Sequence, residues 1–245
     1  MSQRVGVAPT SSPKLLFIDI EWAPAKAYVW RMWDENVSPE QLIDAGGMLC
    51  FCAHFDGQRD YQFYSKWHDG RKGMARAARR LLSEADAVVT YNGDKYDLPK
   101  IQGEILLAGL TPPPPPTSID VLKAVKKFGF VMNRLAYIGP LLVGAQKVKH
   151  EGFHLWKEVL AGDAKAQAKM QRYCIQDVRL LKQVYHRVRP FITKHPHLGP
   201  ATSCSNCQSR KTQSRGFRRT KSFRIQRIQC TSCGAWQDGK REKMA

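Results

Sequence analysis

Long apolar runs are missing from this chain of 245 residues. None approaches the roughly 18–20 residues that a helix needs to cross a bilayer, so no membrane contact is expected. Residues 1–13 are polar and lack the apolar stretch of a secretory signal. The expected location is therefore intracellular and cytoplasmic. In that setting the seven cysteines are read as thiols or metal ligands rather than disulfides. No internal repeat is present. Acid is the scarce charge: 21 Asp or Glu stand against 39 Lys or Arg, for a formal net charge of +18. A surplus of that size attracts polyanions, and nucleic acid is the first partner to consider. Half of it sits in residues 199–245, where eleven Lys or Arg face only Asp238 and Glu242. A tail this basic suits phosphate contact.

What is present is enough for a core, since 43% of the residues are apolar. Residues 1–13 read as a flexible arm. Lys14 to Ile20 is a short run of branched residues, hence a buried strand. Met48 to Phe55 and Arg59 to Tyr64 read as a hairpin turned at Asp56-Gly57. Gly73 to Ser83 is helical, Ala87 to Thr90 a strand, and Leu98 to Ala108 a helix with Pro99 near its start. Five prolines, Pro112 to Pro116, predict a stiff extended connection. Helices follow over Asp120–Phe128, Arg134–Val143 and Phe153–Leu160. A longer one runs from Ala164 to about Arg189, capped by Asp163 and ended by Pro190. Strands followed by helices in this order predict an α/β fold, a mixed sheet flanked by helices. Residues 14–190 form the main domain, 191–203 a linker, and 204–245 a separate basic unit.

The few acids fall in suggestive places. Asp19 and Glu21, in Phe17-Ile18-Asp19-Ile20-Glu21, share one face of a strand that is otherwise apolar. They repel each other there, and a cation would relieve both repulsion and burial. Two solvated acids at an exposed strand end are the simpler reading of this motif alone. Asp97 lies at a helix start, where Asp also serves as an N-cap. Tyr173 and Asp177, four apart on a long helix, share a face. They suit a metal ligand beside a water-orienting phenol, or an ordinary helix surface. Asp120 reads as an N-cap rather than a ligand.

Taken together, the three segments resemble the motifs of the DEDD superfamily of 3′–5′ exonucleases, also called DnaQ-like. Phe17 to Glu21 is similar to the first motif. Tyr91-Asn92-Gly93-Asp94-Lys95-Tyr96-Asp97-Leu98-Pro99 is similar to the second, with Asn five positions before Asp. Tyr173-Cys174-Ile175-Gln176-Asp177-Val178 is similar to the third in its Tyr-x-x-x-Asp form. Arg172 stands where the histidine subclass would have His, so the tyrosine subclass (DEDDy) is indicated. The second and third segments look most like polymerase proofreading domains.

The resemblance spans about residues 14–190 and implies an RNase H-like fold with two Mg²⁺ or Mn²⁺ ions. It implies that Asp19 bridges both ions and that Glu21 and Asp177 complete the site that activates water. Asp97 would serve the second ion and Tyr173 would orient the water. Asn92 and the backbone near Glu21 and Trp22 would lie close to the terminal nucleotide. The implied reaction releases nucleoside 5′-monophosphates from a 3′ end. Single-stranded DNA or DNA 3′ ends are the expected substrate, with a replication or repair protein as a further partner. RNA is the alternative substrate. A nuclease fold without activity, serving only to bind nucleic acid, is the other.

Cys204, Cys207, Cys230 and Cys233 form a C-x₂-C, x₂₂, C-x₂-C pattern, spacing that encloses one tetrahedral Zn²⁺. The segment resembles a zinc ribbon; a redox pair of C-x₂-C motifs is the alternative. Arg215, Arg218, Arg219, Lys221, Arg224 and Arg227, with Phe217 and Phe223 among them, suit single-stranded nucleic acid, or else dock a partner protein. Trp22 is a candidate to stack on a base. Trp30 and Trp33 are expected to pack beneath the following loop, and Trp156 in the core. Cys50, Cys52 and Cys174 are expected as buried thiols, and His150 and His154 as surface or packing residues.

Overall fold

The computed structural model describes residues 13–147 and 152–244. Strand β1 (Leu15–Ala23) leads into a small ribbon, β2 (Lys26–Ala27) with β3 (Leu42–Asp44). Next come β4 (Gly47–Phe55), β5 (Gln62–Ser65), α1 (Gly70–Glu84) and β6 (Ala87–Thr90). Then α2 (Asp97–Leu107), β7 (Ser118–Asp120), α3 (Val121–Val125), α4 (Leu135–Val143), α5 (Phe153–Leu160) and the long α6 (Ala164–Val188). The tail adds β8 (Thr212–Arg219), β9 (Phe223–Cys230) and β10 (Trp236–Lys243).

The main sheet has the order β5-β4-β1-β6-β7. β1 pairs antiparallel with β4 and parallel with β6, so the sheet is mixed. β1 is central because its sequence can be buried on both faces. Leu15 and Phe17 pack into one core with Met170, Cys174, Val178, Leu181 and Tyr185 of α6. Leu16, Ile18 and Ile20 pack into a second core with α1 and α2. Each large side chain so buried contributes roughly 1.5–3 kcal/mol. Because side chains alternate along a strand, the face that carries Phe17 also carries Asp19 and Glu21 toward α6. The expected α/β architecture, helices on both sides of a mixed sheet, is therefore what the chain forms.

Buried Glu104 locks the second layer. It receives Arg71 Nε at 2.5 Å and Nη2 at 2.9 Å, and the Met48 amide at 3.2 Å, joining α2 to α1 and β4.

Several expectations are corrected. The fifth strand begins at Gln62 rather than Arg59, after a looser turn. Asp120 ends β7 and caps α3 by accepting from the Leu122 amide at 3.1 Å, so the expected 120–128 helix starts one residue later and finishes as a 3-10 turn over Lys126–Phe128. Trp30 is 95% exposed and Trp33 81% exposed, so neither packs beneath the loop. β2 and β3 are too short to build a core that would cover them. Of the 1–13 arm, only Pro13 is among the described residues, and His150 lies outside them. His154 pairs with Glu158 on the surface of α5 at 3.1 Å.

The tail is a three-stranded antiparallel sheet in the order β10-β9-β8. The segment before it is bonded on both sides. Tyr185 on α6 contacts His195 Nε2 at 2.7 Å, and His195 Nδ1 lies 2.9 Å from the Pro196 carbonyl and 3.1 Å from the Ser205 carbonyl. Arg189 donates to the Asn206 carbonyl. The tail sheet thus joins the main domain at the C-terminal end of α6.

Candidate active site

Asp19 and Glu21 leave β1 on the face that looks at α6, and Asp177 answers from that helix. Carboxylate oxygens of the three all lie within 4.8 Å of one another. α6 is fixed at this height by apolar packing and by Cys174, whose thiol donates to the Asp19 carbonyl at 3.8 Å. Cys50, Cys52 and Cys174 are all buried free thiols.

Asp97 arrives by a tight turn after β6. Asn92 takes a left-handed φ of 69°, which Asn tolerates, and its amide donates to Asp120 at 2.8 Å. Gly93 follows where a Cβ would meet the Thr90 side chain at 2.3 Å. Asp97 is the first residue of α2, not its cap. Its buried carboxylate instead accepts the Ile20 amide at 3.1 Å, between the two acids of β1. It stands beside the cluster of three rather than within it. Asp94 is turned away and is held by Ser118 and Lys123.

The electrostatics explain what this cluster needs. Burial, then Asp97, Asp177 and Glu21, raise the Asp19 carboxyl well above its usual range. Burial and the Asp177 charge push Glu21 up to about 8. Burial pushes Asp97 up to about 6, against the amide bond from Ile20. Carboxylates so placed resist ionising together unless cations join them. Lys147 supplies one such charge: Nζ donates to Asp177 Oδ2 at 2.5 Å and lies 3.4 Å from the Tyr173 hydroxyl. Burial opposes its charge, but Asp177, Asp19 and Glu21 together raise its pKa. No motif pointed to Lys147. Tyr173 has its phenol pKa raised by burial, then by Asp177, Glu21 and Asp19, so it stays protonated. The all-oxygen donor set, short of positive charge, fits hard divalent cations such as Mg²⁺ or Mn²⁺.

A cleft of about 480 Å³ opens beside Glu21 and is lined by Trp22, Tyr96, Phe153 and Trp156. The Lys100 ammonium sits 4.1 Å from the Trp22 ring centre and 3.8 Å from that of Tyr96. Trp156 packs against the core, as expected, while its open edge lines the cleft. It is half-buried and meets Tyr173 edge to face at 6.1 Å, linking the cleft to the phenol. Tyr96, Phe153 and Trp156 were missed as site residues, because no spacing ties an aromatic side chain in the turn before α2 to two on α5. Asn92 has an exposed side chain and stands outside this lining.

A family model described as RNase_H superfamily matches residues 44–189, more than half of the chain. The chain belongs to the RNase H superfamily. The match includes Asp97, Tyr173 and Asp177 but begins after Asp19 and Glu21, which the sheet brings to the same place. No curated protein matches the chain. Membership makes this a nuclease-type domain, with nucleic acid as substrate and divalent metal as the usual cofactor of the fold. No helix among the described residues is long and apolar enough to cross a membrane.

A second cluster lies beyond the RNase H match, in the tail sheet. Sγ atoms of Cys204, Cys207, Cys230 and Cys233 all lie within 4.8 Å of one another. Cys204 and Cys233 are 3.7 Å apart, Cys207 and Cys230 3.5 Å. A tetrahedron with Zn–S bonds of ~2.3 Å has edges of about 3.8 Å, so the four sulfurs fit zinc. Around them the cations are spread. Arg218 pairs with Asp238 at 2.7 Å, Arg224 lies 3.8 Å over the Phe217 ring, and Arg219 and Lys221 are exposed near the β8–β9 turn. None of these four belongs to the acidic site.

Proposed function

We propose that the chain is a metal-dependent 3′–5′ exonuclease of the DEDD type, tyrosine subclass, acting on DNA 3′ ends. Residues 14–190 are its catalytic domain, 191–203 the connection, and 204–245 a zinc ribbon that grips the strand. One observation carries the reading. Three carboxylates from β1 and α6 converge within 4.8 Å, with a buried, protonated tyrosine one helical turn before the last.

Asp19, Glu21 and Asp177 would hold the ions, with Asp97 as a further ligand from beside Ile20. When bound, two Mg²⁺ or Mn²⁺ ions supply Lewis-acid activation of water and neutralise charge on the leaving oxygen. Tyr173 donates a hydrogen bond that orients the attacking water. Water adds to the terminal phosphorus, the 3′ oxygen of the preceding nucleotide leaves and takes up a proton, and a nucleoside 5′-monophosphate is released. Trp22, Tyr96, Phe153 and Trp156 cradle the terminal base and sugar, with Asn92 at the margin. Arg218, Arg219, Lys221 and Arg224 hold the strand further back. One Zn²⁺ on the four cysteines supplies folding energy that so small a sheet lacks.

Asp19→Ala and Asp177→Ala are each expected to abolish Mg²⁺-dependent digestion of a single-stranded DNA oligonucleotide while binding persists. Gel assays and fluorescence anisotropy measure the two. Undiminished digestion by either variant removes the proposed site. Matched DNA and RNA strands in the same assay decide the sugar: faster loss of RNA would make the enzyme an exoribonuclease.

A further inference from the structure

A second cleft, of about 590 Å³, lies where residues 193–194 face the tail sheet. Its walls carry Lys194 on one side and Arg227 and Trp236 on the other. Among the described residues neither Lys194 nor Arg227 has a carboxylate partner. The cleft's acid, Asp238, is already neutralised by Arg218 at 2.7 Å. Two uncompensated cations thus share one concave surface. Trp236 is 47% exposed, and the Arg227 guanidinium stands 4.4 Å over its ring. The floor is rigid: Gln237 accepts the Ser205 amide at 2.7 Å and donates to the Ser203 carbonyl at 3.3 Å. An exposed indole beside two cations offers a stacking face and an anion site together. That pairing matches one nucleotide, base on ring and phosphate between cations. An acidic peptide would use the cations but leave the indole face without a planar partner.

We infer that this cleft binds single-stranded nucleic acid, with a phosphodiester between Lys194 and Arg227 and a base stacked on Trp236. The inference rests on the reading of the chain as a nuclease only for the identity of the strand, not for the site. Tyr185 and Arg189, which tie the tail to α6, lie eight and twelve residues beyond Asp177. At ~1.5 Å per residue that is on the order of 12–18 Å along the helix. Four or five stacked nucleotides, at ~3.4 Å each, span it. The cleft would therefore hold the strand upstream of the end being processed.

The test uses the full chain with zinc bound and Asp19→Asn to prevent digestion. Anisotropy of a labelled 12-mer of thymidylate is measured across a salt series, beside a labelled polyglutamate peptide. Trp236→Ala should weaken oligonucleotide binding by roughly 5- to 150-fold, the range for one lost base stack. Trp236→Phe should retain most of it. Lys194→Ala with Arg227→Ala should reduce the salt slope by about 1.4, two single-strand contacts at ~0.7 each. Zinc content and melting temperature identify any variant that fails to fold; Trp236→Phe and the double cation variant then carry the test. Unchanged affinity in folded Trp236→Ala, an unchanged salt slope in the folded double cation variant, or loss of binding in folded Trp236→Phe as large as in the alanine variant would overturn the inference, as would polyglutamate binding more tightly than the oligonucleotide. If wild-type chain binds through the cleft but digests nothing, the nuclease reading fails and the cleft stands.

Discussion

Lys147 sits among carboxylates that would otherwise repel one another. Its bond to Asp177 competes with any cation that needs the same oxygen. Lys147→Met should therefore bind Mn²⁺ more tightly without nucleic acid, on the order of fivefold. That corresponds to the ~1 kcal/mol that a unit charge exerts at about 4 Å in water-like surroundings. Calorimetric titration measures it, and weaker Mn²⁺ binding would show that the lysine supports the ions instead. Tyr173→Phe should slow hydrolysis on the order of 10–100-fold, since the phenol orients rather than ligates. Single-turnover digestion checks this, and a wild-type rate would remove the phenol from the reaction. At this scale the acids were legible because each sits in a motif with its neighbours. Lys147 was not, because a lone lysine in a loop carries no period and no spacing. Trp156 was read as core, against which it packs, but helical spacing could not show that its edge also lines a cleft.

At the scale of elements, β1 and α6 were readable from composition and length, and their meeting follows from the two-residue period that turns Asp19 and Glu21 toward the helix. β8 and β10 were not readable, since Thr212–Arg219 and Trp236–Lys243 are polar on both faces. They are organised around four cysteines rather than around apolar side chains. β7 was hidden by its three-residue length beside the prolines. The junction of the two units turns on His195. Its Nδ1 faces two carbonyls and must carry the proton, so Nε2 accepts from Tyr185. A second proton on Nε2 would face the tyrosine donor. Burial, helped by the Arg189 charge, accordingly pushes His195 below its usual 6.5, against the carbonyls of Pro196 and Ser205. Below pH 6.5 the unfolded chain takes a proton that the folded chain refuses, so this contribution to stability is lost as pH falls. Each pH unit costs up to ~1.4 kcal/mol until the folded value is reached. His195→Gln should therefore lose less melting temperature between pH 7 and pH 5 than wild type. Identical losses in thermal melts would leave His195 without this role.

The whole molecule divides its charges by place. Acids converge on one face of β1, while half of the net charge of +18 lies in the tail. That division suits a strand gripped at a distance and cut at one end. The charge asymmetry was plain in the sequence, but the bonds from α6 through His195 to the tail were not, because they run largely through backbone carbonyls. The central claim concerns cutting, and a time course decides it most directly. A 20-residue single-stranded DNA labelled at its 5′ end is incubated with the chain and Mg²⁺, beside the same strand labelled at its 3′ end. Digestion from the 3′ end predicts a descending ladder from the first and immediate release of labelled mononucleotide from the second, both lost in Asp177→Ala. Mononucleotide released first from the 5′ label, internal cuts without a ladder, or full activity in Asp177→Ala would contradict the account.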